Sequence, residues 1–366
     1  MVETDAMGRQ PVVLHAGSPY CIDDWFGGPA GTYDFTFVNK EAAGMEVYLQ
    51  DLKTERIYLE VEHFGRGATR SVTASVPPGS YRWVCITDYT IKFSHPVTVT
   101  GDPLPYDVYG ITPLTGIDLR IPINNYIAWL TGRLPTLNEQ VAQLRESVRA
   151  GDVAAAKHDW LTAQLHYETL GGAYGAYGET GEAINGDPPR GVDAAEADFE
   201  GFRKIEAMLW SGKPVATIEP HADALIEAVH GLADVLARPD ALPPIDMGRR
   251  VHEILEDTLQ KDLNGIGDAG SRTELATVDA NITGTWRAMD PLLPILQEQD
   301  PYLDETEQQL RTTQELVRSY HHEYGWVPLT ALTTRQRAGI NAAVQHCVEL
   351  LSHAAVVLDP RNATHE

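Results

Sequence analysis

The chain has 366 residues, 43% of them hydrophobic and 22% charged, and a formal net charge of −24. That profile is globular, and the length exceeds one domain of ordinary size, so two domains are expected. No run of eighteen apolar residues occurs, which argues against a membrane-spanning helix, and so acidic a field excludes nucleic acid and anionic lipid as partners.

Residues 1–101 hold 12 acidic and 8 basic residues, a net of −4, and the remainder holds 40 and 20, a net of −20. The second part therefore favours cations over anions in its surroundings. The opening stretch "MVETDAMGRQPVVLHAG" has neither the basic segment nor the apolar core of an export signal, which points to the cytoplasm unless such a signal lies outside this sequence. Of the three cysteines, Cys21 and Cys85 fall in the first part and Cys347 in a distant alanine-rich helix, with no zinc-site spacing. Cys21 and Cys85 are either a disulfide, implying an oxidising compartment, or two buried thiols.

From residue 10 to 101 the segments "TYDFTFVN", "GMEVYLQDL", "RIYLEVEHF", "TRSVTASV", "SYRWVCITDY" and "HPVTVTG" alternate and are rich in Val, Tyr, Phe and Thr. Turn signals separate them, which predicts an all-β sandwich. Residues 102–118 read as a linker. Residues 119–360 read as an all-α bundle of two four-helix units, making the protein multidomain. Two long helices are expected either side of Ala150-Gly151-Asp152, then helices over 195–211, 219–237, 248–263, 272–298, 301–322 and 333–357. The "HHEYGW" stretch from His321 is expected as an exposed helix end.

Bundles build metal sites from carboxylates and histidines that point inward. In "WLTAQLHYETLGGAY", Glu168 sits among Leu161, Leu165, Tyr167 and Leu170 and is the first candidate. Gly171, Gly172, Gly175 and Gly178 follow; without a preceding strand they signal close helix approach rather than a phosphate loop. In "DFEGFRKIEAMLWSG", Phe199, Phe202, Ile205, Leu209 and Trp210 mark a buried helical face. Arg203 and Glu206 stand three apart on it, close enough to pair, with Asp198 just ahead. In "RRVHEILEDTLQ", His252 and Glu256 share a face at four-residue spacing that suits iron or manganese, beside Glu253 and Asp257. No GxSxG, HExxH or Cys–His nucleophile pattern occurs. Cys85 and His95 with no following methionine do not make a blue-copper set, so no metal is expected in the β-domain.

The stretches "DWLTAQLHYETLGGAYGAYG", "INGDPPRGVDAAEADFEGFRKIEAMLWSG", "VHEILEDTLQ" and "INAAVQHCVELL" resemble the EfeO/imelysin-like family over nearly the whole chain. The similarity is to its two-domain type, a cupredoxin-like domain without copper ligands ahead of a helical imelysin, or peptidase-like, domain. It implies a Cys21–Cys85 disulfide and an exported, iron-binding component of an iron-uptake system. It also implies a membrane iron permease and a haem-peroxidase-like protein as partners, and it gives no ground for peptidase activity. The family signature is GxHxxE, whose His and Glu help to hold metal. Here it reads "GFRKIE", residues 201–206, with Arg203 at the histidine position and Glu206 at the glutamate. An arginine offers only donors and cannot ligate a metal. The expected metal set is therefore Glu168, Asp198, Glu206 and Glu256 holding iron or another divalent ion, with Arg203 and His252 as ligand-binding residues. The alternative is a metal-dependent enzyme or a binder of anionic ligands, with Arg203 gripping a carboxylate.

Overall fold

Period-two alternation decides the first part of the chain. In β3 (Gly31–Asn39) the side chains of Tyr33, Phe35 and Phe37 point to one face and are buried, while Thr32, Asp34 and Thr36 stay partly exposed. The computed structural model describes residues 9–17, 20–41, 43–88, 90–189 and 191–361. It divides into two compact units: the chain up to Thr115 together with the end from Pro360, and Gly116–Asp359.

In the first unit, β1 (Gln10–Ala16) runs parallel to β3, and β6 (Thr69–Val76) runs antiparallel to it. The second sheet has the order β2 (Gly27–Pro29), β9 (Val97–Thr100), β7 (Gly79–Ile86), β4 (Met45–Asp51), β5 (Ile57–Phe64), with β8 (Ile91–Phe93) also pairing β7. The sheets face each other through aromatic rings. Trp83 of β7 is fully buried, with its ring 5.5 Å from Phe35 and 5.4 Å from Phe37, both edge-on. This is the expected sandwich. The Cys21–Cys85 disulfide ties the segment ahead of β2 to β7 across Cα atoms 5.1 Å apart, so the bridge and not the pair of free thiols is what forms.

The stretch expected as a linker lies largely with this unit. The backbones of Ile111 and Ile57 exchange hydrogen bonds of 2.8 and 2.9 Å, and Leu114 is buried. The chain's end returns to the same place: Arg361 donates its backbone N–H to the Leu114 carbonyl at 2.7 Å, and its buried guanidinium pairs with Glu60 at 2.7 Å.

The second unit is helical. α1 (Arg120–Arg149) and α2 (Val153–Glu168) break where the sequence suggests, because Gly151 takes φ +74° and the Asp152 carboxylate caps α2 by accepting the Ala155 N–H. A 3₁₀ turn (Gly171–Ala173) leads into α3 (Tyr174–Asn185); α4 (Phe202–Trp210) and α5 (Val215–Leu236) follow. Helices α1, α2, α3 and α5 pack as one group. The second group is α6 (Pro244–Asp257), α7 (Glu274–Met289), α9 (Leu303–Arg318) and α10 (Thr334–Val357), with short α8 (Leu293–Gln299) after α7, and α2 packs on α7. No helix among the described residues is long and apolar enough to cross a membrane.

Three helices depart from the expected spans. The 272–298 stretch is interrupted at Asp290–Leu292, where Pro291 and Pro294 supply no N–H to the ladder. The 301–322 stretch ends at Arg318, and "HHEYGW" is a small hairpin, His321–His322 paired with Gly325–Trp326, rather than a helix end. The 195–211 stretch becomes helical only at Phe202. Gly201 ahead of it takes φ +98° and pairs with Asn185, and a Cβ there would stand 2.2 Å from the Ile184 carbonyl oxygen.

The disulfide closes a loop between residues 64 apart in sequence. Chain-entropy reasoning gives such a bridge a contribution of about 4 kcal/mol. Replacing Cys21 and Cys85 by alanine is expected to lower the denaturant midpoint of the β-unit by a comparable free energy, followed by the fluorescence of the buried Trp25 and Trp83. An unchanged midpoint would show that sheet packing alone sets the stability of this unit.

Candidate functional site

The ends of α2, α3 and α6 and the start of α4 enclose a cleft of about 440 Å³. The packing of α2 and α4 is fixed by Trp160, whose indole N–H donates to the Phe202 carbonyl at 2.8 Å. The glycines after α2 permit the close approach expected of them: a Cβ on Gly172 would lie 2.5 Å from the Tyr126 hydroxyl. Gly175 does more. A Cβ there would lie 2.3 Å from the Arg250 guanidinium, which crosses the cleft wall at that point and pairs with Glu253 at 2.8 Å.

Glu168 is the last residue of α2 and lines the cleft, 6% exposed. One carboxylate oxygen accepts from Gln164 Nε2 at 2.8 Å and from Asn185 Nδ2 at 3.2 Å; the other accepts from the Tyr174 hydroxyl at 2.9 Å. Burial raises its pKa, and the Tyr174 hydrogen bond and the positive charge of Arg203 pull it back. Asp262, 8% exposed, faces the same cleft. It ends a π turn (Thr258–Asp262) that continues α6, in which the Leu263 N–H reaches back five residues to the Thr258 carbonyl. Asn281 of α7 holds this turn, donating to Thr258 Oγ1 at 3.0 Å and to Asp262 Oδ2 at 3.1 Å. Burial pushes Asp262 well above the usual carboxyl range, the negative charge of Glu168 pushes it further, and Arg203 and Lys261 oppose both.

Arg203, on the first turn of α4, has an 11% exposed side chain and borders the cleft. It does not form the expected pair with Glu206. Its guanidinium donates instead to Asp187, on the loop between α3 and α4, and Lys261 Nζ stands 3.6 Å from the other oxygen of the same carboxylate. Glu206 does not line the cleft; 2% exposed, it borders a small adjoining cavity with Arg203 and Asp262 and accepts the Ser271 backbone N–H at 2.9 Å. Burial and then the charge of Asp268 push its pKa up to about 7. Lys204, between them, is 5% exposed and donates to the carbonyls of Ala195 at 3.1 Å and Ala197 at 2.6 Å, tying the preceding loop to α4.

The other expected ligands do not converge here. Asp198 is exposed on the loop before α4 and is not part of the cleft wall. His252 and Glu256 face each other at 3.7 Å on α6, and Glu256 also accepts from Gln260 at 3.1 Å; the α6 face that lines the cleft is that of Arg250, Glu253 and Asp257 instead. Among the described residues no three His, Cys, Asp or Glu side chains stand close enough together to hold a metal ion by themselves. Sequence reasoning missed Asp262 and Asp187. Asp187 lies in "INGDPPRG", a stretch singled out for its resemblance but given no role.

The sequence model of the imelysin family matches residues 122–354, nearly all of the helical unit. The chain belongs to the imelysin family. Over its whole length it is similar to the "Iron uptake system component EfeO" of Yersinia pestis, at 26% identity across 98% of this chain and 93% of that protein. The protein of the same description from Escherichia coli O157:H7 is 23% identical across 90% of this chain and 86% of its own length. Among solved structures, amicyanin variants in the Cu(I) state match 25% of this chain and 82% of their own, at 16% identity and a TM-score of 0.19. The cleft just described lies inside the imelysin unit.

The imelysin unit offers a direct electrostatic check at Glu206. An acid whose pKa is about 7 folded and about 4.3 unfolded binds its proton more tightly in the native state. Its ionisation penalty is absent at pH 4, develops between pH 4.3 and 7, and is complete above. Glu206→Gln, which keeps the acceptor for Ser271, is expected to leave stability near the parent value at pH 4.5. At pH 8 it should raise it by up to about 4 kcal/mol, read from denaturant midpoints at both pH values. Equal effects at the two pH values would show that Glu206 is not buried as an ion.

Proposed function

We propose that this chain is an iron-binding component of an iron-uptake system and that the ion, its cargo, sits at the Glu168 and Asp262 side of the cleft. The similarity to the EfeO proteins of Yersinia pestis and Escherichia coli O157:H7 supports the role, and the donor chemistry supports the place. The observation that carries the reading is that two buried carboxyls share one cleft and both resist ionisation. A cation that replaces their protons removes the penalty of burying two negative charges in one cleft. Carboxylate, amide and phenol oxygens from Glu168, Asp262, Asn185, Asn281 and Tyr174 suit a hard ion such as iron. Arg203, at the position of the family's histidine, balances charge there without ligating. Glu206, Asp198, His252 and Glu256 act elsewhere in the fold. The disulfide supports a place outside the cytoplasm, and the resemblance supplies a membrane iron permease and a haem-peroxidase-like protein as partners.

Iron(II) titrated anaerobically is expected to bind more tightly as pH rises, because Glu168 and Asp262 must surrender protons to bind it. Calorimetry in buffers of different ionisation enthalpy should show net proton release on binding, larger at low pH than at high pH. Glu168→Gln should weaken binding by more than about 10-fold. Binding that ignores both pH and this substitution would place the ion away from these carboxylates.

A further inference from the structure

Two carboxylates beside a guanidinium leave an iron ion short of anionic ligands, and the cleft shows where the rest come from. Arg203 and Lys261 together hold one carboxylate, that of Asp187, at the cleft. Asp187 belongs to the loop between α3 and α4, its side chain is 56% exposed, and its two oxygens are divided between the two cations. Arg203 is by contrast nearly buried and backed by Asp262 and Glu168, whose pKa values both register its charge. Arg203 is the fixed cation of this arrangement, Lys261 beside it is half-exposed, and the carboxylate is exchangeable. An Arg and a Lys converging on one carboxylate form a carboxylate receptor.

Resting on the iron-binding reading above, we propose that the cleft takes iron as a complex with a small polycarboxylate, and that Asp187 is the built-in stand-in for the chelator's carboxylate. Glu168 and Asp262 meet the metal face of the complex, while Arg203 and Lys261 meet a chelator carboxylate once Asp187 has swung away. Arg203 at the histidine position then selects between forms of cargo, favouring a complex that carries its own anionic ligands over the bare hydrated ion. Asp187 sets the threshold: its occupancy of Arg203 scales down the apparent affinity for the complex.

The test is calorimetric titration of the full chain and its Asp187→Ala variant with three probes: iron(III)–citrate, iron(III)–acetohydroxamate and anaerobic iron(II). Asp187 is exposed, so its removal leaves the fold intact. The parent should bind iron(III)–citrate in preference to the hydroxamate complex, and Asp187→Ala should tighten citrate-complex binding by about tenfold if the stand-in occupies Arg203 nine-tenths of the time. The affinity for iron(II), which brings no carboxylate to replace Asp187, should not rise. Weaker citrate-complex binding in Asp187→Ala would make Asp187 a ligand of the cargo and overturn the proposal. Equal binding of citrate and hydroxamate complexes would overturn it too. Binding of iron(II) with no binding of the citrate complex would overturn it while leaving the iron-carrier function standing; no binding of iron in any form would remove both.

Discussion

The cost of placing Glu168 and Asp262 out of water in one cleft governs the architecture around them. A buried ion without compensation costs several kcal/mol, and two of like sign cost more. Compensation arrives from four directions: Gln164 one turn earlier on α2, Tyr174 and Asn185 from α3, Asn281 from α7, and the charge of Arg203 from α4. None of those elements can move independently without exposing an unpaired donor or carboxylate. The π turn that ends in Asp262 and the glycine that turns the chain into α4 are both departures from regular helix, and both serve this meeting point. The two four-helix groups are joined where their polar groups are most dependent on one another.

Charge acts on two scales in this protein. From residue 102 onward the chain carries 40 acidic and 20 basic residues, a long-range field that concentrates cations and is weakened by salt. At the cleft the balance is finer, with Arg203, Arg250 and Lys261 facing Glu168, Asp187, Glu253 and Asp262. The far field attracts by sign alone. The near field sorts by shape and by where each charge is fixed, since Glu168 and Asp262 are buried and hydrogen-bonded from neighbouring side chains while Asp187 is exposed.

Much of the fold was legible because periodicity reports burial directly. The alternating segments from "TYDFTFVN" to "HPVTVTG" became strands at nearly the expected limits, and Gly151-Asp152 broke α1 from α2 through its own capping chemistry. Strands β2 and β8 have three residues each, and β1, "QPVVLHA", runs Val12, Val13 and Leu14 together instead of alternating, so none of them stands out. The site was legible only in part. Glu168 announced itself as an acid among apolar neighbours and indeed lines the cleft. Arg203 and Glu206, three residues apart, were expected to meet, but each found a stronger partner from a distant loop, Asp187 for one and the Ser271 N–H for the other. Asp262 escaped notice because its inward direction depends on a widened turn and on Asn281 of another helix, and neither leaves a mark in helical spacing.

The return of Arg361 to Glu60 and Leu114 gives the chain an unusual order of assembly. The helical unit is an insertion between Thr115 and Pro360 of the β-unit, and not a tail that follows it. During synthesis the strands emerge first, yet Arg361, buried and ion-paired to Glu60 of β5 at 2.7 Å, is made after every helix described is finished. Glu60 therefore waits for a partner that comes 301 residues later. A chain cut short by even a few residues before Arg361 would keep the whole helical unit and still leave the carboxylate of Glu60 without its guanidinium.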